Sequence, residues 1–235
     1  MKTFSMILLL SLFLANMGHT QSCPSGQNCV YVSTTGNDSN NGSKSSPYRT
    51  IQKAIDGAEA GTSIRVFPGT YRENLTFHQK QGTYTQRIIL SGYQGTAIID
   101  GGGMHSSTPL PLIKIQDCSY IWITNMTLQN NYGPKAEGIR IEGTGTFHEV
   151  HNCKIKNIGW SQSKTTAPTD RNNHLANALR VIGTKSTAIK ELLIRDNEIY
   201  DCVTGFSESL TIVGNVDNFL VSRNKVHDNT NIGIV

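Results

Sequence analysis

Four stretches decide the fold: Ile123–Asn131 (ITNMTLQNN), Val150–Ile158 (VHNCKIKNI), Ile194–Cys202 (IRDNEIYDC) and Val221–Asn229 (VSRNKVHDN). They align without gaps. An aliphatic residue opens each one. Leu128, Ile155, Ile199 and Val226 share the sixth column, and Asn130, Asn157, Asp201 and Asp228 the eighth. The starts are separated by 27, 44 and 27 residues, and the long interval holds one polar insertion, roughly Gly159 to Ala176. Without that excess the period is about 27, in the range of solenoids. Each rung of a solenoid exposes an apolar face until a neighbour covers it. Stacking sets equal columns about 4.8 Å apart. Aliphatic columns then fill the interior, and Asn columns form ladders that satisfy turn backbone. Met126, Cys153, Asn197 and Asn224 form the fourth column, and Asn131, Ile158, Cys202 and Asn229 the ninth. By alternation, Gln129, Lys156, Tyr200 and His227 point outward, as do Lys154, Glu198 and Lys225.

The rest of the chain agrees with short strands. Its 22 glycines and frequent asparagines punctuate β-rich runs. Ahead of the rungs, Thr50–Ala58 places Ile51, Ala54, Ile55 and Ala58 on one helical face, with Thr50 as N-cap. A short amphipathic helix there would plug the open end of the solenoid. Thr62–Tyr71 reads as a strand ending in a Pro-Gly turn.

At the start, Lys2 precedes the apolar run Met6–Ala15, the layout of a secretory signal peptide spanning residues 1–20, with cleavage after Thr20 or, alternatively, near Met17. The run is too short to span a membrane, and no later segment reaches the roughly 18 apolar residues required. The expectation is an exported chain with a short segment at 21–30, a cap over 31–75 and rungs over 76–235. Losing Lys2 lowers the formal charge from +4 to +3. That excess accommodates an anionic partner, and the absence of Lys/Arg-rich runs argues against nucleic acid. Of the five cysteines, Cys23 and Cys29 are close enough for a loop-closing disulfide. Cys118, Cys153 and Cys202 lack zinc spacing and read as core residues. Asn37, Asn41, Asn74 and Asn125 head N-x-S/T sequons, the acceptor pattern for N-glycans in a secreted protein.

The run Tyr31-Val32-Ser33, Gly36-Asn37-Asp38, Gly42-Ser43, Pro47, Thr50 to Ile55, Gly61, Ile64-Arg65-Val66, Pro68 to Tyr71 and Glu73-Asn74 resembles the opening of secreted right-handed parallel β-helix proteins, the pectin lyase-like superfamily. Calcium-dependent pectate lyases are its best-known members. The resemblance implies an all-β, single-stranded right-handed parallel β-helix, and a partner among acidic polysaccharides, pectate or another polyuronate. It also implies β-elimination: a base removes the proton α to a uronate carboxylate, and calcium stabilises the developing charge. The family's acidic turn, Asp-Asp-Gly-x-Asp, is matched by Asn231-Ile232-Gly233-Ile234-Val235, in which Asn231 alone keeps an oxygen ligand. Thr204 replaces an Asp one turn earlier. The family's lysine base would fall beyond Val235. With no C-terminal cap after Gly233, the β-helix is expected to be C-terminally truncated here, or else capped by a partner or by self-association; the complete fold is expected to be monomeric.

The candidates that follow are Asp228 and Asn231 for a metal or sugar, with Glu208 nearby; Lys225, His227 and Tyr200 as bases on the outward face; and Trp160 and Arg171 of the insertion, with Glu208, for substrate. For each, an ordinary structural role stands beside the functional one. Paired-Asp, G-H-G, G-x-S-x-G, phosphate-loop, H-E-x-x-H and Asp-Pro-His-Asp motifs are absent. Three readings remain open: a uronate-active enzyme, a non-catalytic glycan-binding or surface protein, and an inactive remnant.

Overall fold

A computed structural model describes residues 23–102 and 107–235; the expected signal peptide lies outside them. Among the described residues, strands group into three sheets in which every pairing is parallel. The first sheet stacks Asn28–Val32, Thr62–Val66, Ile88–Gly92, Ile121–Thr124, Glu149–His151, Ile189–Arg195 and Val216–Ser222, with the short Gly145–Thr146 beside Ile189. The second stacks Leu75–His78, Ile113–Gln116, Ala136–Gly143, Ala176–Gly183 and Leu210–Gly214. The third stacks Gly69–Tyr71, Ala97–Asp100, Met126–Tyr132, Lys154–Gly159, Glu198–Tyr200 and Lys225–His227. The chain visits first, third and second sheet in turn and then climbs one rung. That is a parallel β-helix, coiled in the right-handed sense that twisted strands impose on parallel crossovers.

The register matches the sequence columns. Ile123 pairs with Val150, Val150 with Ile194, and Ile194 with Val221. Leu128, Ile155, Ile199 and Val226 pair in succession. The first three residues of each column are fully buried. The eighth column turns the corner: Asn130, Asn157, Asp201 and Asp228 have φ of 61°, 54°, 56° and 55°, the left-handed region that Asn and Asp tolerate best. Its ladder is present, since Asn157 Nδ2 donates to Asn130 Oδ1 at 3.3 Å. The fourth column makes a buried ladder. Asn197 Nδ2 donates to Asn224 Oδ1 at 2.9 Å and to the Val150 carbonyl at 2.9 Å, while its Oδ1 accepts from Cys153 N–H at 3.0 Å. Cys118, Cys153 and Cys202 are buried free thiols, and Cys23 and Cys29 are disulfide-bonded.

The helix is Ile51–Asp56, and the Thr50 side chain accepts from Lys53 N–H. Two further acids tie this cap to the solenoid. Glu73 accepts from the N–H groups of Ile51 and Gln52, both at 3.0 Å, and Asp38 accepts from Arg49 and Thr50. The stretch 62–75, expected to belong to the cap, already supplies strands. The Pro68 corner breaks Thr62–Tyr71 in two, because proline cannot continue the ladder, and sends Gly69–Tyr71 into the third sheet.

Candidate functional site

The second sheet carries a line of like charges. Its strands repeat an aliphatic-x-aliphatic triplet: Ile113-Lys114-Ile115, Ile139-Arg140-Ile141, Leu179-Arg180-Val181 and Leu210-Thr211-Ile212. Alternation turns the flanking aliphatics inward and the central residue out. Register then joins Lys114 to Arg140, Arg140 to Arg180 and Arg180 to Thr211. The result is a line of three cations along the solenoid axis, one per rung, about 4.8 Å apart.

Two carboxylates lie against that line. Glu142 meets Lys114 Nζ at 2.7 Å and Arg140 Nε at 2.8 Å. Glu137 meets Arg140 at 3.4 Å and Arg180 at 3.3 Å. Glu137 is buried, and burial pushes its carboxyl upward against the opposing pull of Arg140 and Arg180. A wall rises beside this floor from Pro109, Leu110 and Pro111. The Leu110 carbonyl accepts from Asn74 Nδ2 at 3.3 Å and from Asn131 Nδ2 at 2.9 Å, and Asn131 also holds the Glu137 carbonyl. Wall and floor enclose an open cleft of about 380 Å³, whose rim includes Lys135 and Asn173 of the insertion.

Of the residues expected from sequence, Glu208 belongs to this face. Its carboxylate accepts from Thr211 Oγ1 at 3.0 Å, and Asn177 Nδ2 donates to Thr211 Oγ1 and to the Glu208 carbonyl. Trp160 is buried and lies flat on His174, centroids 4.0 Å apart, so its broad face packs against the protein instead of standing free for a sugar. Arg171 sits over the Phe206 ring. Trp160, Phe206 and Asn231 line a second cleft of about 340 Å³ with Lys164 and Pro168.

Tyr200, His227 and Lys225 lie on the third sheet, a different face. Tyr200 and His227 stack at 5.3 Å with an interplanar angle of 3°. Glu198 receives Lys154, Lys225 and His227, and His227 Nδ1 meets Asp228 at 2.7 Å. The three candidate bases are thus held in a ladder of ion pairs and rings.

Asn231 Nδ2 donates to the carbonyls of Gly205 and Ser207 at 3.0 and 3.1 Å, so this residue holds the preceding turn. Calcium takes six to eight oxygens. Asp228 is engaged by His227, Glu208 by Thr211, and among the described residues no three His, Cys, Asp or Glu side chains converge where a metal could sit. Among the described residues, the candidates Asp228, Asn231 and Glu208 are not gathered into a calcium-binding set.

Residues 30–180 match the family model described as Pel9A-like, right-handed β-helix region. The chain is 34% identical over 211 residues to uncharacterized protein YwoF of Bacillus subtilis, covering 87% of this chain and 42% of that protein. It is 32% identical over 117 residues to pectate lyase PEL9 of Emericella nidulans, covering 44% of this chain and 28% of that enzyme. The chain thus spans less than half the length of these curated relatives. The crystal structure of pectate lyase Pel9A superposes with a TM-score of 0.49 at 17% identity, covering 86% of this chain and 56% of that one.

Proposed function

The chain belongs to the Pel9A-like right-handed β-helix family, and on that premise we propose that it acts on acidic polysaccharide, which its second-sheet groove binds through uronate carboxylates. The observation that carries this reading is the axial line Lys114–Arg140–Arg180, of which Lys114 and Arg140 line an open cleft. Arginine offers a planar fork that matches a carboxylate, and cations set one per rung present a linear array to a linear polymer. The proline and Leu110 wall supplies apolar surface for the faces of sugar rings. Cations fixed against a uronate carboxylate also stabilise the charge that develops when the neighbouring proton leaves, which is how such a groove favours β-elimination. Pectate lyase PEL9 of Emericella nidulans, a relative by sequence, supports the choice of a polyuronate.

The test compares the chain with the double variant Lys114→Gln/Arg180→Gln, which leaves Arg140 to hold Glu137. Retardation in gels containing polygalacturonate, and release of unsaturated uronides followed by ultraviolet absorbance, are measured for both. The expected result is retardation of the parent at low salt and a loss of about tenfold or more in the variant. Equal retardation of the two proteins, or a preference for neutral glycans, would refute the assignment.

A further inference from the structure

We propose that Glu137 and Glu142 are internal counter-anions of the groove: they hold its cations in ion pairs, and an acidic polymer binds by drawing those cations onto its own carboxylates. The inference rests on the reading that the groove takes acidic polysaccharide, and it adds what limits the affinity. Each cation of the line already has a protein carboxylate, and Arg140 has two. The arrangement is layered. Side-chain exposure is 30%, 30% and 31% for Lys114, Arg140 and Arg180 in these pairs, but only 4% and 15% for Glu137 and Glu142. The acids form the more buried layer, and the cationic side chains stay about a third exposed above them.

A single carboxylate arriving at one head competes with a pair already formed and gains little. A polymer whose carboxylates recur along the solenoid axis engages several heads together, so later contacts are intramolecular and their gains multiply. The two acids therefore tax a monomeric acid most and a contiguous polyuronate least. Their removal without loss of shape should tighten the groove. Glutamine serves, because its carbonyl still accepts from the guanidinium while the charge is gone.

The experiment titrates the parent, Glu137→Gln and Glu142→Gln with a long unesterified oligogalacturonate and with free galacturonate, by calorimetry at low and high salt. Each variant should bind the oligomer about fivefold tighter at low salt, and the gain should vanish near 1 M salt, where screening acts within about 3 Å. The ratio of oligomer to monomer affinity should fall in both variants. Should Glu137→Gln fail to fold, Glu142→Gln decides alone, since its site is more open. Parent binding that is unchanged or weakened in the variants overturns the inference and leaves the proposed function standing. Absence of oligomer binding by the parent overturns both.

Discussion

Asn197 is where the solenoid should be most sensitive to a single polar substitution. It is 2% exposed and sits between two rungs. Its Oδ1 accepts from Cys153 N–H, and its Nδ2 donates to the Val150 carbonyl and to Asn224 Oδ1. Asn197→Leu keeps the volume roughly constant and removes all three bonds. Asn224 Oδ1 keeps the Asn197 backbone N–H at 3.0 Å, so it is not orphaned. Cys153 N–H loses its acceptor in a buried position, and the Val150 carbonyl loses one donor. A buried group left unpaired costs about 1–3 kcal/mol, so one orphaned donor and one under-satisfied acceptor predict a loss of about 2–4 kcal/mol. The control is Asn157→Ala in the outer ladder, whose 3.3 Å bond is half-buried. There the loss is about 1 kcal/mol, mostly from placing alanine at a positive φ. Urea titration followed by circular dichroism and by tryptophan emission measures both. The slopes should stay equal to the parent's, and coincidence of the two probes checks that the rungs unfold together. A loss below about 1 kcal/mol for Asn197→Leu, or one no larger than the control's, would refute the claim that the inner ladder satisfies backbone that nothing else reaches.

Other expectations follow from the same contacts. Asp196 is held down to about 2 by hydrogen bonds from Arg223 first and Arg195 second. A carboxyl whose folded pKa lies below its unfolded value of about 3.9 contributes stability above that value and loses it as pH falls through the folded pKa. Thermal melts of the parent and Asp196→Asn should therefore differ at neutral pH and converge between about pH 4 and pH 2; a constant difference down to pH 2 would contradict the pairing. Burial pushes the Cys118, Cys153 and Cys202 thiols up to about 11, 12 and 12. Native protein should resist an aqueous alkylating reagent at neutral pH, and denatured protein should take up three labels, which intact-mass measurement reads directly. Trp160→Ala removes the ring that supports His174, so protease should cleave the insertion between residues 161 and 173 faster than in the parent, and equal cleavage rates would contradict the support.

The repeat made the architecture legible because the corner between the first and third sheets has nearly fixed length. The Asn130 column must adopt a positive φ, and the Ile155 column must fill the interior, so both recur at the same offset in every rung. The basic line escaped that reading. Lys114 lies ahead of the first aligned block and Arg140 and Arg180 between later ones, and the insertion between Arg140 and Arg180 shifts the spacing and conceals the period. The signal was present in the triplets Ile113-Lys114-Ile115, Ile139-Arg140-Ile141 and Leu179-Arg180-Val181, each an alternating strand with a cation at its outward position. Glu208 was identified from its place near the last turns, and its bond to Thr211 sets it at the end of the same line. Trp160 was a candidate for stacking on a sugar because loops on solenoids often wall a groove, with an ordinary loop role beside it. Burial against His174 is a tertiary fact that local sequence does not encode.

The contrast between the two charged faces explains why geometry favours one of them. On the third sheet, Lys154, Glu198 and Lys225 alternate in sign along the axis, so each charge finds its opposite on the next rung and the column is closed upon itself. On the second sheet, like charges stack: Lys114, Arg140 and Arg180 repel one another at rung spacing, about 4.8 Å. Like-charged cross-strand neighbours destabilise a sheet, and a column built for stability alone would alternate as the third sheet does. The fold tolerates the repulsion because Glu137 and Glu142 are inserted beneath it. Three cations over two acids leave the line one positive charge in excess, and two of the cations, Lys114 and Arg140, border an open cleft. A solenoid translates position along the chain into position along an axis, so a residue type repeated once per rung becomes a linear array. In this chain that array is cationic and axial, the arrangement the proposed binding of an acidic polymer requires.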